Sequence, residues 1–489
     1  MLTAPHRLGK ALHSGFVMLS LFTLTACSTN PATGQSQFTA LMSPQQEVQV
    51  GAQEHNKIIK QMGLYPNQEL QSYVRQVGEK VARDTERPEV QYKFHLLDSP
   101  IVNAFALPGG YVYLTRGLLA LANSEDEMAS VLAHETAHIT ARHSAERYSR
   151  GVVTSLGAAI IASAVGSSGV SEALGVGSNL YMKSYSRGQE GQADALGIRY
   201  LNRAGYDPFA MGSFLRNLQA DSALEAHMMG KKSAAGTNYF STHPATAERV
   251  NKANEESRQY KQKSIVHRDA YLKKINNMTY GDSAEQGFVR GRNFYHTGLG
   301  FQFTVPQGFN IINQPSNVVA ASRSGAVMIF DMAANKRNLS PMKFLRSVWM
   351  QGEPVSGAEN ITINGMRAAT ATFPGTVNGK AMNIRVVAMR WSAERFARFQ
   401  IAIPRNSSQE TVDGLKRATY SFQRMSAQQK KQLKPYRIKI VKARSGDTVP
   451  SIAARMAFDD YKEMRFRVLN GMSAQDSIVS GRRYKIVSP

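Results

Sequence analysis

The stretch VLAHETAHITARHS, residues 131–144, decides how this chain is interpreted. It contains the pattern H-E-x-x-H at His134, Glu135 and His138, and the apolar residues before it predict a buried helix. Four residues bring a helix round to nearly the same face, so the two imidazoles can converge on one Zn²⁺ ion. Glu135 is turned about 100° from His134 and can act as the general base of a hydrolysis. The bare pattern has many false positives and is not sufficient evidence by itself. A zinc site of this kind also needs a third ligand from the protein.

Two residues are candidates for that third ligand. His143 extends the motif, but it follows His134 by nine residues, about 180° around a continuous helix, which favours a structural role or a contact with one of the ligands instead of the metal. Glu190 in RGQEGQAD, residues 187–194, fits better. Asp194 follows at i+4 on the same helical face and can accept a hydrogen bond from a ligating imidazole, a partner that metal-bound histidines usually need. The alternative is that Glu190 and Asp194 form a solvent-exposed carboxylate pair.

The two motifs VLAHETAHITARHS and SRGQEGQADALG (residues 186–197) together resemble the HtpX-like and CAAX-protease-like gluzincin peptidases. The resemblance is greatest to the BepA-like periplasmic members and covers about residues 28–260. It implies a mainly α-helical, zincin-type metallopeptidase domain with a small β-sheet edge, and it supports Glu135 as the base and Asp194 as a partner of the ligands. It also implies one zinc ion per chain with these ligands: His134, His138 and Glu190.

The segment YFSTHP, residues 239–244, and Arg249 carry a further part of the resemblance. In BepA-like proteins the histidine at the place of His243 can occupy the fourth metal position and keep the enzyme latent. The resemblance implies that His243 is an inhibitory ligand or a transition-state donor, and that Arg249 stabilises an oxyanion. The alternative is that His243 is only a loop residue before a proline.

The segment NAFALPGGYVYL, residues 103–114, resembles the strand at the edge of the active site in this family. An extended peptide can pair with such an edge through its backbone, which would allow proteolysis with little sequence preference. The resemblance therefore assigns Asn103, Ala104 and Phe105 to the substrate-binding edge.

Residues 1–27 have the pattern of a bacterial lipoprotein signal peptide. A basic beginning precedes the apolar residues 16–25, and LTAC at residues 24–27 matches a lipobox. The apolar segment is too short to span a bilayer. We expect a periplasmic protein anchored by acyl chains on Cys27, and Ser28 favours the outer membrane. The alternative is an ordinary signal peptide with an incidental cysteine.

The composition limits the classes of partner. The chain has 489 residues, with 59 Lys and Arg against 36 Asp and Glu, a formal charge of +23. Such a protein is attracted to polyanions, but the basic residues are spread along the chain without a nucleic-acid module. An anionic envelope surface is therefore expected as a partner, and nucleic acid is not. The single cysteine, Cys27, excludes an intramolecular disulfide.

The chain after residue 260 departs from the BepA-like pattern, since no tetratricopeptide helices follow. Strand-like segments predict an α+β domain that faintly resembles the PsbP/Mog1-like fold. GDT at residues 446–448 and LNG at residues 469–471 resemble a LysM-type βααβ module, which commonly binds N-acetylglucosamine polymers such as peptidoglycan. The apolar stretch 151–180 is predicted to be a buried helix or a membrane-touching flap, not a spanning helix.

The sequence thus predicts a multidomain chain. Its predicted divisions are a signal peptide (1–26), a tether (27–42), a zinc metallopeptidase domain (43–280), a linker (281–295), an α+β domain (296–424), a second linker (425–436) and a LysM-like module (437–489).

Three functions are compatible with these motifs. The first is a zinc metalloendopeptidase that cleaves misfolded or misassembled envelope proteins. The second is a latent zinc-bound chaperone or scaffold in outer-membrane assembly, with His243 closing the site. The third is a cell-wall-binding lipoprotein whose peptidase half is vestigial. The intact Glu135 argues against the third, because a vestigial site has no need of its base.

Overall fold

The computed structural model describes residues 27–164, 184–228, 239–244, 247–261, 267–314, 316–377 and 379–489. The contacts divide the chain into two compact units. Unit 1 comprises Met1–Met278 and Ile438–Ser488, and unit 2 comprises Thr279–Arg437 with Pro489. The predicted signal peptide lies outside the described residues, as does part of the apolar stretch 151–180. The domain boundaries given above remain predictions.

Unit 1 begins with a small hairpin that the sequence did not suggest. Strands β1 (Cys27–Thr29) and β2 (Ser36–Phe38) pair antiparallel. The tether at residues 27–42 stays a prediction, and the structure adds that these residues pack on the domain. The Asn30 side chain donates to the Ala141 carbonyl at 3.2 Å, and Met42 is 2% exposed. Polar side chains of this segment form hydrogen bonds within the fold, which its composition does not indicate.

The described residues of unit 1 up to Met278 are mainly helical. Several helices begin where a side-chain oxygen accepts a first-turn backbone amide, as at Asn67 and Ser124. The helices found in the described residues are α1 (Pro44–Met62), α2 (Gln68–Ala82), α3 (Arg116–Leu121), α4 (Glu125–Thr140), α5 (His143–Ala164), α6 (Arg187–Arg203), α7 (Ala210–Met228), α8 (Tyr239–Thr242), α9 (Ala247–Ser257) and α10 (Arg268–Ile275).

A three-stranded sheet packs with these helices. Its strands are β3 (Lys93–Leu97), β4 (Ala104–Leu107) and β5 (Tyr111–Thr115). β5 lies in the middle, parallel to β3 and antiparallel to β4, so β4 forms one edge. The turn between β4 and β5 requires glycine at position 110, where φ is 102° and a Cβ would lie 2.3 Å from the Gln91 carbonyl oxygen.

Unit 2 is rich in β-structure. A short antiparallel sheet contains β7 (Phe288–Arg290), β8 (Asn293–His296), β9 (Phe301–Thr304) and, later in the chain, Gln423–Arg424. A larger antiparallel sheet has seven strands: β10 (Phe309–Asn313), β11 (Val318–Ser322), β12 (Val327–Ala334), β13 (Ser356–Ile363), β14 (Met366–Val377), β15 (Lys380–Arg390) and β16 (Arg395–Pro404). Their order in the sheet is β10-β11-β12-β16-β15-β14-β13. The remaining elements are β6 (Thr279–Tyr280), α11 (Pro341–Phe344), a π-helical turn (Leu345–Trp349), α12 (Gln409–Tyr420), β17 (Gln423–Arg424) and α13 (Ala427–Gln432).

The end of unit 1, which we call the C-terminal module (residues 438–488), has the element order β-α-α-β. The elements are β18 (Tyr436–Lys442, of which residues 438–442 belong to the module), α14 (Val449–Ala453), α15 (Lys462–Leu469) and β19 (Arg483–Ser488). The two strands are neighbours in one sheet. Contacts assign this module to the same compact unit as the first 278 residues.

The described part of the chain contains no helix with both the length and the hydropathy needed to cross a bilayer. Within the apolar stretch 151–180, helix α5 continues to Ala164. The rest of the predicted flap, from residue 165, lies outside the described residues.

Candidate metal centre

Helix α4 carries the H-E-x-x-H pattern through the middle of unit 1. The Ser124 side chain accepts a hydrogen bond from the Glu127 backbone amide at its start, and every residue from Asp126 to Thr140 is buried. Small and apolar side chains on all faces are typical of a helix enclosed by other elements. His134 and His138 lie one turn apart, so their rings point into the same space.

Helix α6 brings a carboxylate pair to this space. Ser186 and Gln189 cap each other's backbone amides at its start. Glu190 follows in the first turn and Asp194 in the second, and both are buried. Asp194 Oδ1 lies 2.9 Å from His134 Nδ1, which is the contact expected between a carboxylate and a ligating imidazole.

Gly197 allows α6 to approach α4 closely. A Cβ at this position would lie 3.2 Å from the His134 backbone nitrogen and 2.8 Å from the Met211 Cε. Glycine inside a helix costs about 1 kcal/mol relative to alanine, so a mid-helix glycine is a sequence signal of close packing. The motif-based prediction of the site did not use this signal.

Four buried groups bring ligand atoms within 4.8 Å of one another: His134, His138, Glu190 and His243. The Nε2 atoms of His134 and His138 are 3.0 Å apart, and His243 Nδ1 is 3.0 Å from Glu190 Oε1. None of the four is more than 1% exposed. We call these four side chains the metal cluster.

The chemistry of the metal cluster fits a zinc ion. His134 Nδ1 faces the Asp194 carboxylate, and a ring nitrogen that donates there leaves the other nitrogen of the neutral ring with a bare lone pair. That second nitrogen points at His138 Nε2. Lone pairs and a carboxylate that meet in a buried space repel one another unless a cation lies between them. Imidazole nitrogens with a carboxylate oxygen are ligands that zinc commonly takes.

Glu135 lies next to the metal cluster with a carboxylate that makes no hydrogen bond. It is fully buried, and neither oxygen has a hydrogen-bond partner among the described residues. Its Oε1 is 3.5 Å from His243 Nε2. Burial raises the pKa of Glu135 to about 8, with His134 opposing the rise and Glu190 adding to it. A buried carboxylate without partners is costly to a fold, which favours a functional reason for it.

Arg249 connects the two carboxylates of α6. Its Nε and Nη2 donate to Asp194 at 2.8 Å each, and its Nη1 lies 2.6 Å from Glu190 Oε2. Burial would raise the pKa of Glu190, but His243, His138 and His134 lower it well below its ordinary value. Asp194 is likewise buried, and Arg249 and His134 hold its pKa below the usual range. Both carboxylates are therefore negatively charged at neutral pH.

His143 lies closer to the metal cluster than a continuous helix would place it. The expectation that one continuous helix carries both His134 and His143 is wrong, because the helix is interrupted at Arg142, where φ is 57°. The turn brings His143 Nδ1 to 2.8 Å from His138 Nδ1, and His143 Nε2 to 3.1 Å from Gln192 Oε1. His143 thus contacts a member of the metal cluster without belonging to it.

The segment that carries His243 covers the metal cluster. The Tyr239 backbone amide donates to the Val102 carbonyl at 3.0 Å, and the Tyr185 amide donates to the Thr242 carbonyl at the same distance. The Tyr239 ring stacks on the His243 ring, with centroids 4.4 Å apart, and the Tyr185 ring stacks on His138 at 3.6 Å. The two tyrosines were not predicted as site residues, although Tyr239 begins the segment YFSTHP that carries part of the resemblance.

The predicted substrate edge lies beside this segment. Ala104 and Phe105 are the first residues of edge strand β4, and Asn103 precedes them and accepts a hydrogen bond from the Thr115 amide. Ala104 and Phe105 are 0% and 6% exposed. The hydrogen bond from Tyr239 to Val102 ends one residue before Asn103, so the covering segment and the edge strand are adjacent.

Residues 68–257 match the sequence profile described as peptidase family M48. A mitochondrial metalloendopeptidase OMA1 from Schizosaccharomyces pombe is 32% identical over 183 residues, 37% of this chain and 52% of the relative. Proteins named beta-barrel assembly-enhancing protease are similar too. The one from Yersinia pestis is 31% identical over 42% of both chains, and the one from Escherichia coli K12 is 32% identical over 40% of this chain and 41% of the relative. This chain therefore spans about half or less of each relative's length.

Among solved structures, the solution structure of a cyanobacterial PsbP from Synechocystis covers 28% of this chain and 98% of its own length. Its TM-score is 0.22 and its sequence identity 14%.

Proposed function

We propose that this chain, whose residues 68–257 form a peptidase family M48 domain, is a zinc metalloendopeptidase of the bacterial cell envelope. The observation that carries the proposal is the buried metal cluster with the unpartnered Glu135 carboxylate beside it. His134, His138 and Glu190 would hold the zinc ion, and His243 would add a fourth ligand in the closed state. Asp194 would fix the orientation of the His134 ring.

A zinc ion bound there would polarise the scissile carbonyl and lower the pKa of a water molecule. Glu135, ionised beside the positive charge of the zinc ion despite the rise in pKa that burial alone causes, would take the proton of the attacking water and then deliver it to the nitrogen of the leaving amine. Its burial without a hydrogen-bond partner among the described residues favours this use, because none of those residues has to release a hydrogen bond first. Arg249 would hold Glu190 and Asp194 in place, and its contacts with both carboxylates commit most of its donors.

The proposed resting state is latent. His134, Glu135, His138 and His243 are at most 1% exposed, so a peptide cannot reach Glu135 in this conformation. Access requires residues 239–244 to move away, which means loss of the hydrogen bonds at Val102 and Tyr185. The same movement would uncover the beginning of β4, where an extended substrate could pair with Asn103, Ala104 and Phe105.

The proposed substrates are misfolded or misassembled envelope proteins. The names of the relatives from Yersinia pestis and Escherichia coli, beta-barrel assembly-enhancing protease, support this class. The proposed location is the periplasm, with acyl chains on Cys27 in the outer membrane. For the C-terminal module we propose a LysM-type fold, supported by its β-α-α-β order, with peptidoglycan as its ligand.

The experiment compares the soluble chain from Ser28 with its Glu135→Gln and His243→Ala variants, using an unfolded outer-membrane protein as substrate. Zinc content is measured for all three. We expect zinc in each, no cleavage by Glu135→Gln, and faster cleavage by His243→Ala than by the parent. Zinc without cleavage in the parent and in His243→Ala would favour the second candidate function, a zinc-bound scaffold, which the buried state of the cluster also supports.

A further inference from the structure

The C-terminal module is held to the peptidase domain through a fully buried lysine. Lys485 on β19 is 0% exposed. Its Nζ donates to three backbone carbonyls at the end of α3: Ala120 at 2.7 Å, Leu121 at 3.1 Å and Ala122 at 2.6 Å. These carbonyls have no intrahelical partner, since they belong to the last turn of the helix and its C-cap. A cation at this end also complements the helix dipole.

The number of donors on Lys485 matches the number of acceptors. An ammonium group has three N–H donors and no acceptor, whereas a neutral amine has only two donors. Burial lowers the pKa of Lys485, and the negative charge of Glu127 opposes that effect. The three carbonyls favour the charged form, so the site is built for an ammonium ion.

The backbone around Lys485 is fixed from inside the module. The Asn470 side chain accepts a hydrogen bond from the Lys485 amide at 2.7 Å and donates to the Lys485 carbonyl at 2.9 Å. The next residue, Gly471, lies against the peptidase domain, because a Cβ there would be 3.0 Å from Asn123 Nδ2 and from Asn217 Oδ1. The module therefore meets the domain through a close-packed, polar contact.

The same contact continues to the beginning of α4. Glu127 is buried in the first turn of α4, two turns before His134. Its carboxylate accepts hydrogen bonds from the Asn123 amide at 2.8 Å, from Ser213 Oγ at 2.7 Å, and from Asn217 Nδ2 at 3.0 Å. Asn123 and Asn217 are the residues that a Cβ on Gly471 would meet. Lys485 and Gly471 thus hold the α3–α4 junction from which the metal helix begins.

We propose that the C-terminal module is a positioning element of the peptidase and that Lys485 is its positioning residue. Lys485 fixes the end of α3, the junction fixes the first turn of α4, and α4 carries two members of the metal cluster. A displacement of α4 by a fraction of an ångström would separate His134, His138 and Glu135 from Glu190 on α6 and from the substrate. The module is then required for activity even though it supplies no group to the cluster.

The kinetic part of this inference rests on the proposed function, so its test also uses readouts that need no proteolysis. The full chain is compared with Lys485→Met, Lys485→Arg and the control Lys439→Met. Lys439 is an exposed lysine on β18 of the same module. Cobalt is substituted for zinc, and its visible absorption spectrum reports the geometry of the ligands.

We expect Lys485→Met to bind cobalt with an altered spectrum and to lose about tenfold or more in kcat with little change in KM. Lys485→Arg should restore part of the loss, and Lys439→Met should resemble the parent in every respect. A cobalt spectrum and kcat of Lys485→Met equal to those of the parent would overturn the proposal. Absence of peptidase activity from both the parent and its His243→Ala variant would contradict the proposed function, while the cobalt spectra would still decide the positioning role.

A second measurement needs no variant and covers the case in which Lys485→Met does not fold. Hydrogen exchange of the unaltered full chain is followed by mass spectrometry. We expect peptides from β19 and from residues 125–132 of α4 to exchange with the same opening free energy and the same dependence on denaturant. Exchange of β19 at low denaturant while α4 stays protected would show an independent module and overturn the proposal.

Discussion

The interior of unit 1 near the metal cluster and the interior of unit 2 differ in the polarity of their side chains. In unit 1, charged and polar side chains such as Glu135, Glu190 and Lys485 are completely buried. In unit 2 the core is a set of contacting aromatic rings, with Phe330 in its middle: Phe294, Phe301, Phe303, Phe330, Trp391, Phe399 and Phe422.

The difference indicates how each interior is stabilised. Apolar rings stabilise a fold wherever they pack, at about 25 cal/mol per Å² of surface removed from water. A buried charge is costly unless a partner of opposite charge or a metal ion compensates it. The polar interior of unit 1 therefore depends on particular partners, whereas the aromatic interior of unit 2 depends mainly on volume. Four perturbations should separate the two kinds of interior.

Removal of the metal should have the largest effect, and only in unit 1. A ligand present at a thousand times its Kd stabilises the folded state by about 4 kcal/mol, and zinc held by four side chains can exceed that value. We expect a chelator to increase hydrogen exchange in α4 and α6 and to leave β12 and β16 of unit 2 unchanged. Equal effects in both units, or none in α4, would contradict this expectation.

The substitution Phe330→Ala should have the next largest effect, and only in unit 2. Phe330 is 3% exposed, and its ring centroid lies 4.9–5.5 Å from the centroids of four other phenylalanines. Its loss should cost about 3–5 kcal/mol in the free energy of unfolding, measured by hydrogen exchange of β16. Zinc content should not change. Val412→Ala, at a position that is 36% exposed, serves as the control and should cost little.

Two alanine substitutions on α6 should change the free energy of unfolding by smaller amounts, and in opposite directions. At Gly197 the added methyl group would press on α4, which should cost about 1–3 kcal/mol and reduce zinc affinity. At Gly191 nothing lies within 4 Å of the added group, so Gly191→Ala should stabilise the helix by about 1 kcal/mol. Thermal unfolding and zinc titration measure both. Equal zinc affinity in the two variants would mean that α6 does not need its close approach to α4.

The smallest effect should come from a histidine of the unit 1 sheet. Burial, with His55 and Lys93 nearby, lowers the pKa of His95 to about 4, while an unfolded histidine titrates at about 6.5. The unfolded chain then takes up the proton first as the pH falls, so the stability that His95 contributes above pH 6.5 is lost between about pH 6.5 and 4. His95→Gln should therefore lose less Tm between pH 7 and pH 5 than the parent. His227→Gln, at an exposed position, should lose as much as the parent.

Much of the centre could be predicted from sequence because its geometry is local. The spacing of His134 and His138 on one helix, and of Glu190 and Asp194 on another, sets which side chains share a face. His243 required the resemblance, since no periodicity connects it with α4. The contact of His143 with His138 could not be predicted from helical spacing, because the backbone at Arg142 turns into the left-handed region.

The remaining features depend on contacts between distant parts of the chain. The position of Lys485, whose partners lie more than 360 residues earlier, has no local signal, because its strand resembles any strand with a basic residue. The hairpin at residues 27–38 also has no local signal in the sequence, because its polar side chains form hydrogen bonds with distant groups such as the Ala141 carbonyl. Sequence composition cannot distinguish a polar segment that is solvated from one whose partners are elsewhere in the fold.

The most direct test of the central claim is X-ray absorption spectroscopy at the zinc edge on the full chain and on His243→Ala. We predict one zinc ion per chain with four nitrogen or oxygen ligands at about 2.0–2.2 Å, three of them imidazoles, and two imidazoles in the variant. Absence of zinc from the purified chain, or a ligand shell with fewer than two imidazoles, would contradict the claim.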